Sequence, residues 1–97
     1  MTKRKEGINA LYLVLIYKEN IAGAIKFVDD YRPKLNIDRR YANIETCSGC
    51  IWWSDKQDFT SKEEGNAFYQ QKKSEGWTQG TEKQYEEFVD RMGNMTY

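Results

Sequence analysis

The sequence predicts a small α+β domain built around a central β-hairpin, and three stretches carry this prediction. Ala10–Tyr17 reads ALYLVLIY, an unbroken apolar run that favours a buried strand. Tyr41–Ser54, YANIETCSGCIWWS, reads as two strands joined by a tight turn. Near the C-terminus, four apolar residues recur at the spacing of an amphipathic helix: Tyr85, Phe88, Val89 and Met92. The predicted element order is β-α-β-β-α-α.

A helix is predicted directly after the first strand. Asn20 is a suitable N-cap residue, and the segment should end near Arg32 because Pro33 disfavours helical geometry in the residue before it. Five apolar residues in between share one helical face: Ile21, Ala24, Ile25, Val28 and Tyr31. An alternative is a single long helix from about Ile8 to Tyr31, followed by the hairpin and two C-terminal helices, because periodicity alone does not separate a buried strand from a buried helix.

The hairpin prediction includes a register. If Ser48-Gly49 forms the two-residue loop, Cys47 lies opposite Cys50 and Glu45 lies opposite Trp52. Side chains alternate between the faces of a strand. The more apolar face should point into the core, and its members are Ala42, Ile44, Thr46, Ile51 and Trp53. Trp52 is then left on the more polar face.

Two further helices are predicted in the C-terminal half. Thr60 or Ser61 begins a capping box, and Thr81 caps the last helix. Trp77 follows a glycine and should close the edge of the core. If residues 76–80 form an extended piece that pairs with the sheet, the order matches a split β-α-β arrangement like the ferredoxin fold, with an added C-terminal helix.

Length and charge set further limits. Ninety-seven residues indicate one domain, 1–97, in which residues 1–7 form a flexible basic arm. The formal net charge is zero, which argues against a DNA mimic and against a strongly basic nucleic-acid binder. No segment resembles a signal peptide, and the longest apolar run is too short to span a bilayer, so a cytoplasmic protein without a membrane role is expected.

The chemistry available to the chain is narrow. It has no histidine, and its seven glycines form no phosphate-binding loop, so we expect a protein that is not an enzyme and that has no cofactor. Cys47 and Cys50 leave three readings open: two reduced thiols, a redox pair or strained disulfide, or half of a zinc site. Because zinc needs four ligands, such a site would have to be completed by a second chain in a homodimer.

One surface of the hairpin is the expected binding site. Its residues are Trp52, Tyr41, Arg39, Arg40 and Glu45. Tryptophan, tyrosine and arginine anchor many protein interfaces, which predicts a protein–protein interaction module, such as a small phage or mobile-element regulator or inhibitor. The alternative is a nucleic-acid-binding module in which Trp52 and Tyr41 stack on bases and Arg39 and Arg40 contact phosphate. Whether the C-terminal helix covers Trp52 is left open by the sequence.

Overall fold

A computed structural model describes residues 7–48 and 51–94. Within these ranges the chain forms a five-stranded antiparallel sheet and two α-helices, which confirms an α+β fold. The elements are β1 (Gly7–Tyr17), β2 (Asn20–Arg32), β3 (Ile37–Ser48), β4 (Ile51–Phe59), α1 (Lys62–Ser74), β5 (Thr78–Gln79) and α2 (Glu82–Asn94). The strands lie in the order β4-β3-β2-β1-β5. A single 3₁₀ turn, Pro33–Leu35, joins β2 to β3.

The segment from Asn20 to Arg32 is a strand, so the predicted second-position helix is wrong, as is the alternative long N-terminal helix. β2 lies in the middle of the sheet and is covered on both faces. Consecutive residues such as Ala24 and Ile25 are therefore both buried, and so are Phe27 and Val28. A strand buried on both faces loses its period of two, and its apolar residues can then match helical spacing by chance.

The turn between β1 and β2 also gives no sequence signal. Tyr17 pairs with Asn20, which leaves Lys18 and Glu19 as a two-residue loop. Both loop residues have positive φ, 50° and 69°, as a type I′ hairpin turn requires. Glycine, asparagine and aspartate normally occupy these positions, so Lys-Glu was not recognisable as a turn. The first four strands consequently form a meander, and the ferredoxin-like arrangement is not confirmed.

The hairpin of β3 and β4 is confirmed, but its predicted register is wrong. Ser48 pairs with Ile51, so Cys47 lies opposite Trp52 and Thr46 opposite Trp53. The pairing differs from the prediction by two residues. A shift of two preserves the face on which each side chain lies, whereas a shift of one would have exchanged the faces. The second strand also continues past Ser54, where the predicted hairpin ends, to Phe59.

One face of the sheet packs against α1. Its buried cluster contains Leu13, Ile25, Phe27, Ala42, Phe59 and Trp77. Phe68 and Tyr69 of α1 complete it, with ring centroids 6.0 and 5.4 Å from that of Phe27. We call this side of the sheet the α1 face.

The opposite side packs against α2, and we call it the α2 face. Its buried cluster is smaller and contains Val14, Ala24, Phe88 and Met92. Arg91 fixes the end of the helix because its guanidinium donates to the backbone oxygen of Ile21 at 2.7 Å. The predicted apolar stripe of this helix is thus confirmed as its inward face.

The signals in the C-terminal half are confirmed because they are local. Ser61 accepts a hydrogen bond from the Glu64 amide at 3.2 Å. Thr81 and Gln84 form the reciprocal bonds of a capping box, at 3.2 and 2.9 Å. Trp77 is buried above Gly23, where an added Cβ would lie 2.6 Å from the indole. Glycine at position 23 is therefore what allows Trp77 to close the core.

Candidate binding surface

α2 packs mainly on β1 and β2, and it also reaches the hairpin at Cys47 and Trp52. The part of the α2 face that β3 and β4 contribute presents side chains in cross-strand pairs. These pairs are Tyr41 with Asp58, Asn43 with Lys56, Glu45 with Ser54, and Cys47 with Trp52. The hairpin thus offers a broad surface beside the helix.

An open cleft of about 560 Å³ lies at the end of this surface that is nearest to α1. Its lining residues are Arg39, Tyr41, Lys56, Asp58, Phe59 and Thr60. The Lys56 ammonium lies 4.7 Å from the centre of the Tyr41 ring and 3.9 Å from the Asp58 carboxylate. The cleft therefore combines an aromatic ring, two cations and one carboxylate, a mixture that suits a polar peptide better than an apolar ligand.

Arg39 is exposed at the mouth of this cleft. Asp30 lies nearby, but Arg32 already holds both of its carboxylate oxygens, at 2.9 and 2.8 Å. These hydrogen bonds, and then the Arg32 and Arg39 charges, keep the pKa of the Asp30 carboxyl below its usual value. The Arg39 guanidinium is 3.8 Å from Asp30, and 62% of its side chain is exposed. Because Asp30 is engaged mainly by Arg32, Arg39 is available to a ligand.

Arg40 is separated from the other predicted site residues. It lies on the α1 face, and 10% of its side chain is exposed. Its guanidinium donates to Asp29 at 2.7 Å and to the side-chain oxygen of Asn66 at 2.5 Å. These bonds tie β2 and β3 to the first turns of α1. The structure thus places Arg40 in a structural ion pair, whereas Arg39 lies beside Tyr41.

The predicted burial of Trp53 is wrong, and the structure answers the question left open for Trp52, which α2 covers in part. Trp52 is half-buried and packs against the cluster beneath α2. Its indole N–H donates to Glu45 Oε1 at 3.0 Å, and the Ser54 hydroxyl donates to Glu45 Oε2 at 2.7 Å. Glu45 is buried, so these two bonds compensate its carboxylate. Trp53, predicted to be in the core, is 59% exposed.

Tyr85 of α2 borders the same buried carboxylate. Its ring lies 5.8 Å from that of Tyr12. Burial raises the pKa of the Tyr85 phenol to about 12, and the negative charge of Glu45 contributes further. Ionised Tyr12 and Tyr41 would add to this effect. The phenol therefore stays neutral through the physiological range.

We expect this tyrosine to make the fold sensitive to alkali. The pKa of Tyr85 is higher in the folded chain than the ordinary 10.0 expected after unfolding, so its contribution to stability is complete below pH 10 and is lost between pH 10 and 12. With an allowance for the partial exposure of Tyr85, the free energy of unfolding should fall by about 1–2 kcal/mol over this range. In urea unfolding measured from pH 10 to pH 12, the free energy of unfolding should fall less steeply for Tyr85→Phe than for the wild type. Parallel curves for the two proteins would refute the assignment.

The structure tests the three interpretations of Cys47 and Cys50 only in part. Cys47 lies on the α2 face opposite Trp52, so it does not directly oppose Cys50, and Cys50 is outside the described residues. Among residues 7–48 and 51–94, no group of three or more histidine, cysteine, aspartate or glutamate side chains is placed to bind a metal ion. In the same part of the chain, no helix is long and apolar enough to cross a membrane.

Lys56 and Asp58 are the site residues that the sequence did not reveal. They belong to the run SDKQDF, which lacks apolar alternation because β4 is an edge strand with most of its side chains exposed. The length of β3 gives no signal either, because β3 is paired with β2 from Ile37 onward and does not require β4 to extend to Asp58.

Comparisons with known proteins add no family assignment. No family model matches the sequence. No curated protein and no solved structure matches it either. The functional argument therefore depends on the geometry described above.

Proposed function

We propose that this chain is a non-enzymatic protein–protein interaction module that binds its partner through the cleft around Tyr41. The observation that carries the proposal is the exposed Arg39 guanidinium, which lines an open cleft together with the Lys56–Tyr41 pair. Arginine and tyrosine at the edge of a cleft are typical anchors of protein interfaces.

The charges in the cleft indicate what the partner presents. Arg39 and Lys56 attract a carboxylate, and the Tyr41 ring offers an apolar surface to the side chain that carries or precedes it. Asp58, 79% exposed, can accept a hydrogen bond from the partner backbone or from a basic side chain. The best-fitting ligand is thus an acidic segment with an adjoining apolar residue. By occupying such a segment, the module acts as a small regulator or inhibitor in the cytoplasm.

A single-stranded nucleic acid is the second candidate, because the Tyr41 ring lies beside two cations and could stack on a base. Acidic groups on the same side of the molecule weigh against it. Asp58 lines the cleft, and the Tyr12 phenol lies within the field of Glu82 and Glu86 of α2. A phosphate backbone would be repelled by these carboxylates.

The test compares capture by matched charge-reversal variants. Wild-type chain, Arg39→Glu, Lys56→Glu and the control Lys83→Glu are immobilised, and proteins retained from a lysate of the source cells are quantified by mass spectrometry. Lys83 is 85% exposed and lies on α2, outside the cleft, so its reversal changes net charge equally. We expect both cleft variants to lose at least about 90% of a partner that the control retains, because charge reversal costs several kcal/mol at an interface.

Two outcomes would contradict the proposal. One is a partner retained equally by all four proteins, which would place the interface elsewhere. The other is retention of nucleic acid instead of protein. Fluorescence anisotropy with single-stranded oligonucleotides checks the second outcome directly, because an affinity that falls log-linearly with salt is the signature of phosphate binding.

A further inference from the structure

β4 has a long outer edge with no partner strand among residues 7–48 and 51–94. The other edge of the sheet is interrupted, because β5 pairs with β1 at Leu13 and Val14 and the Gly80 amide donates to the Tyr12 carbonyl. Natural proteins usually protect an open edge with charges, proline or bulges. In β4 the charges begin only at Asp55, and the preceding residues include Ile51 and Trp53, which are 54% and 59% exposed.

We propose that β4 pairs with β4 of a second copy of the chain, so that two sheets join into one. Two identical antiparallel strands can join a continuous sheet only through a two-fold axis perpendicular to it. Directly opposed residues must then lie on the same face, so one residue of β4 has to oppose its own copy. The register is thereby limited to a few choices, each defined by the residue on the axis.

Charge selects among these choices. An axis at Asp55 opposes two carboxylates, and an axis at Lys56 opposes two ammonium groups, which is unfavourable in each case. When the two-fold axis passes through Ser54, no like charges face each other, and residues 51–57 of one chain pair with residues 51–57 of the other. In this register Trp52 lies opposite Lys56 of the partner, a cation–aromatic pair that forms twice. Axes at Trp53 or Gln57 also avoid repulsion, but they pair only 51–55 or 55–59.

We therefore expect the two β4 strands to pair with Ser54 on the two-fold axis. Trp53 then lies opposite the partner's Asp55, and its exposed ring is flanked by a second chain instead of solvent. The two α2 faces come to lie on the same side of the joined sheet, which places two copies of the Tyr41 cleft on one surface. This inference is argued from the strand edge and shares Lys56 with the cleft, but its main test is at position 54, which does not line the cleft, so the two proposals can fail separately.

Cysteine cross-linking tests both the dimer and its register. In a background with Cys47→Ala and Cys50→Ala, we compare Ser54→Cys with the control Gln57→Cys under mild oxidation. Residues that oppose each other across antiparallel strands are within disulfide reach. With the axis at Ser54, the two copies of residue 57 are displaced by six residue steps, about 20 Å along the strands. Ser54→Cys should therefore form covalent dimer at least about tenfold faster than the control.

Analytical ultracentrifugation of the wild-type chain over a concentration series accompanies the cross-linking. A monomer–dimer equilibrium together with preferential cross-linking at position 54 supports the inference. A wild-type chain that stays monomeric, with slow cross-linking at both positions, would overturn it. Faster cross-linking at position 57 would overturn the Ser54 register. Thermal unfolding of both cysteine variants checks that each retains the fold. Lys56→Ala leaves the residue on the axis unchanged and should weaken the dimer, because it removes the pair with Trp52 of the other chain.

Discussion

Replacing Arg40 with methionine is expected to destabilise the fold by about 2–4 kcal/mol. The substitution keeps most of the side-chain volume but removes the guanidinium that bonds to Asp29 and Asn66 beneath α1. The Asp29 carboxylate, 19% exposed, then loses its 2.7 Å charged donor. Urea unfolding gives the free energy directly, and the midpoint should fall without a large change in slope.

Arg39→Met is the matched control for this prediction. The two arginines are adjacent, yet alternation places Arg39 on the α2 face with most of its side chain in solvent. Its replacement should change stability by no more than about 0.5 kcal/mol. If the two variants lose stability equally, the assignment of Arg40 to the core and Arg39 to the surface is wrong.

Replacing Trp52 with alanine should cost about 2–4 kcal/mol, the second large effect. The change removes packing against the cluster beneath α2 and also the indole N–H that donates to buried Glu45. For a domain of this size, such a loss lowers the melting temperature by about 10–20 °C. Trp52→Phe should fall between wild type and Trp52→Ala, because it keeps the ring and loses the hydrogen bond.

The neighbouring tryptophan supplies the control. Trp53 is 59% exposed on the edge strand, so Trp53→Ala should change stability by about 0.5 kcal/mol or less in the monomer. Differential scanning fluorimetry of the three variants ranks them in one experiment. A larger loss from Trp53→Ala than from Trp52→Ala would contradict the structure and support the burial of Trp53 that the sequence alone predicts.

These adjacent pairs show what could be predicted from the sequence. Alternation along the hairpin places Ala42, Ile44, Thr46, Ile51 and Trp53 on one face and Trp52 on the other, as in the structure, even though the predicted register is two residues off, because a shift of two leaves the faces unchanged. Which face is covered depends on tertiary packing. α2 reaches Trp52 across one face, whereas on the other face α1 packs over Phe59 and leaves Trp53 in solvent.

The same distinction separates the elements that were predicted from those that were not. β1, the hairpin, both caps and the burial of Trp77 follow from local signals and were predicted. β2 matches helical spacing because helices cover both of its faces, and the Lys18-Glu19 turn before it gives no turn signal because it adopts positive φ without glycine or asparagine. Neither cause is visible in the local sequence.

The candidate site was predicted in part. The structure brings Tyr41 and Arg39 to one cleft and adds Lys56 and Asp58, which lie beyond the predicted hairpin. It places Glu45 beneath the surface, held by Trp52, and moves Arg40 to the other face. Residue types alone indicated an aromatic and basic surface, but only the strand pairing determines which cations lie beside the ring.

We have proposed that Arg39, Tyr41 and Lys56 form the surface that binds a protein partner. Amide chemical-shift mapping of the ¹⁵N-labelled chain, titrated with the partner purified from the capture experiment, tests it most directly. We expect the largest shifts to cluster at residues 39–41 and 56–60. Large shifts confined to the outer side of α2 or to the turn at residues 17–20, with residues 39–41 and 56–60 unmoved, would contradict it.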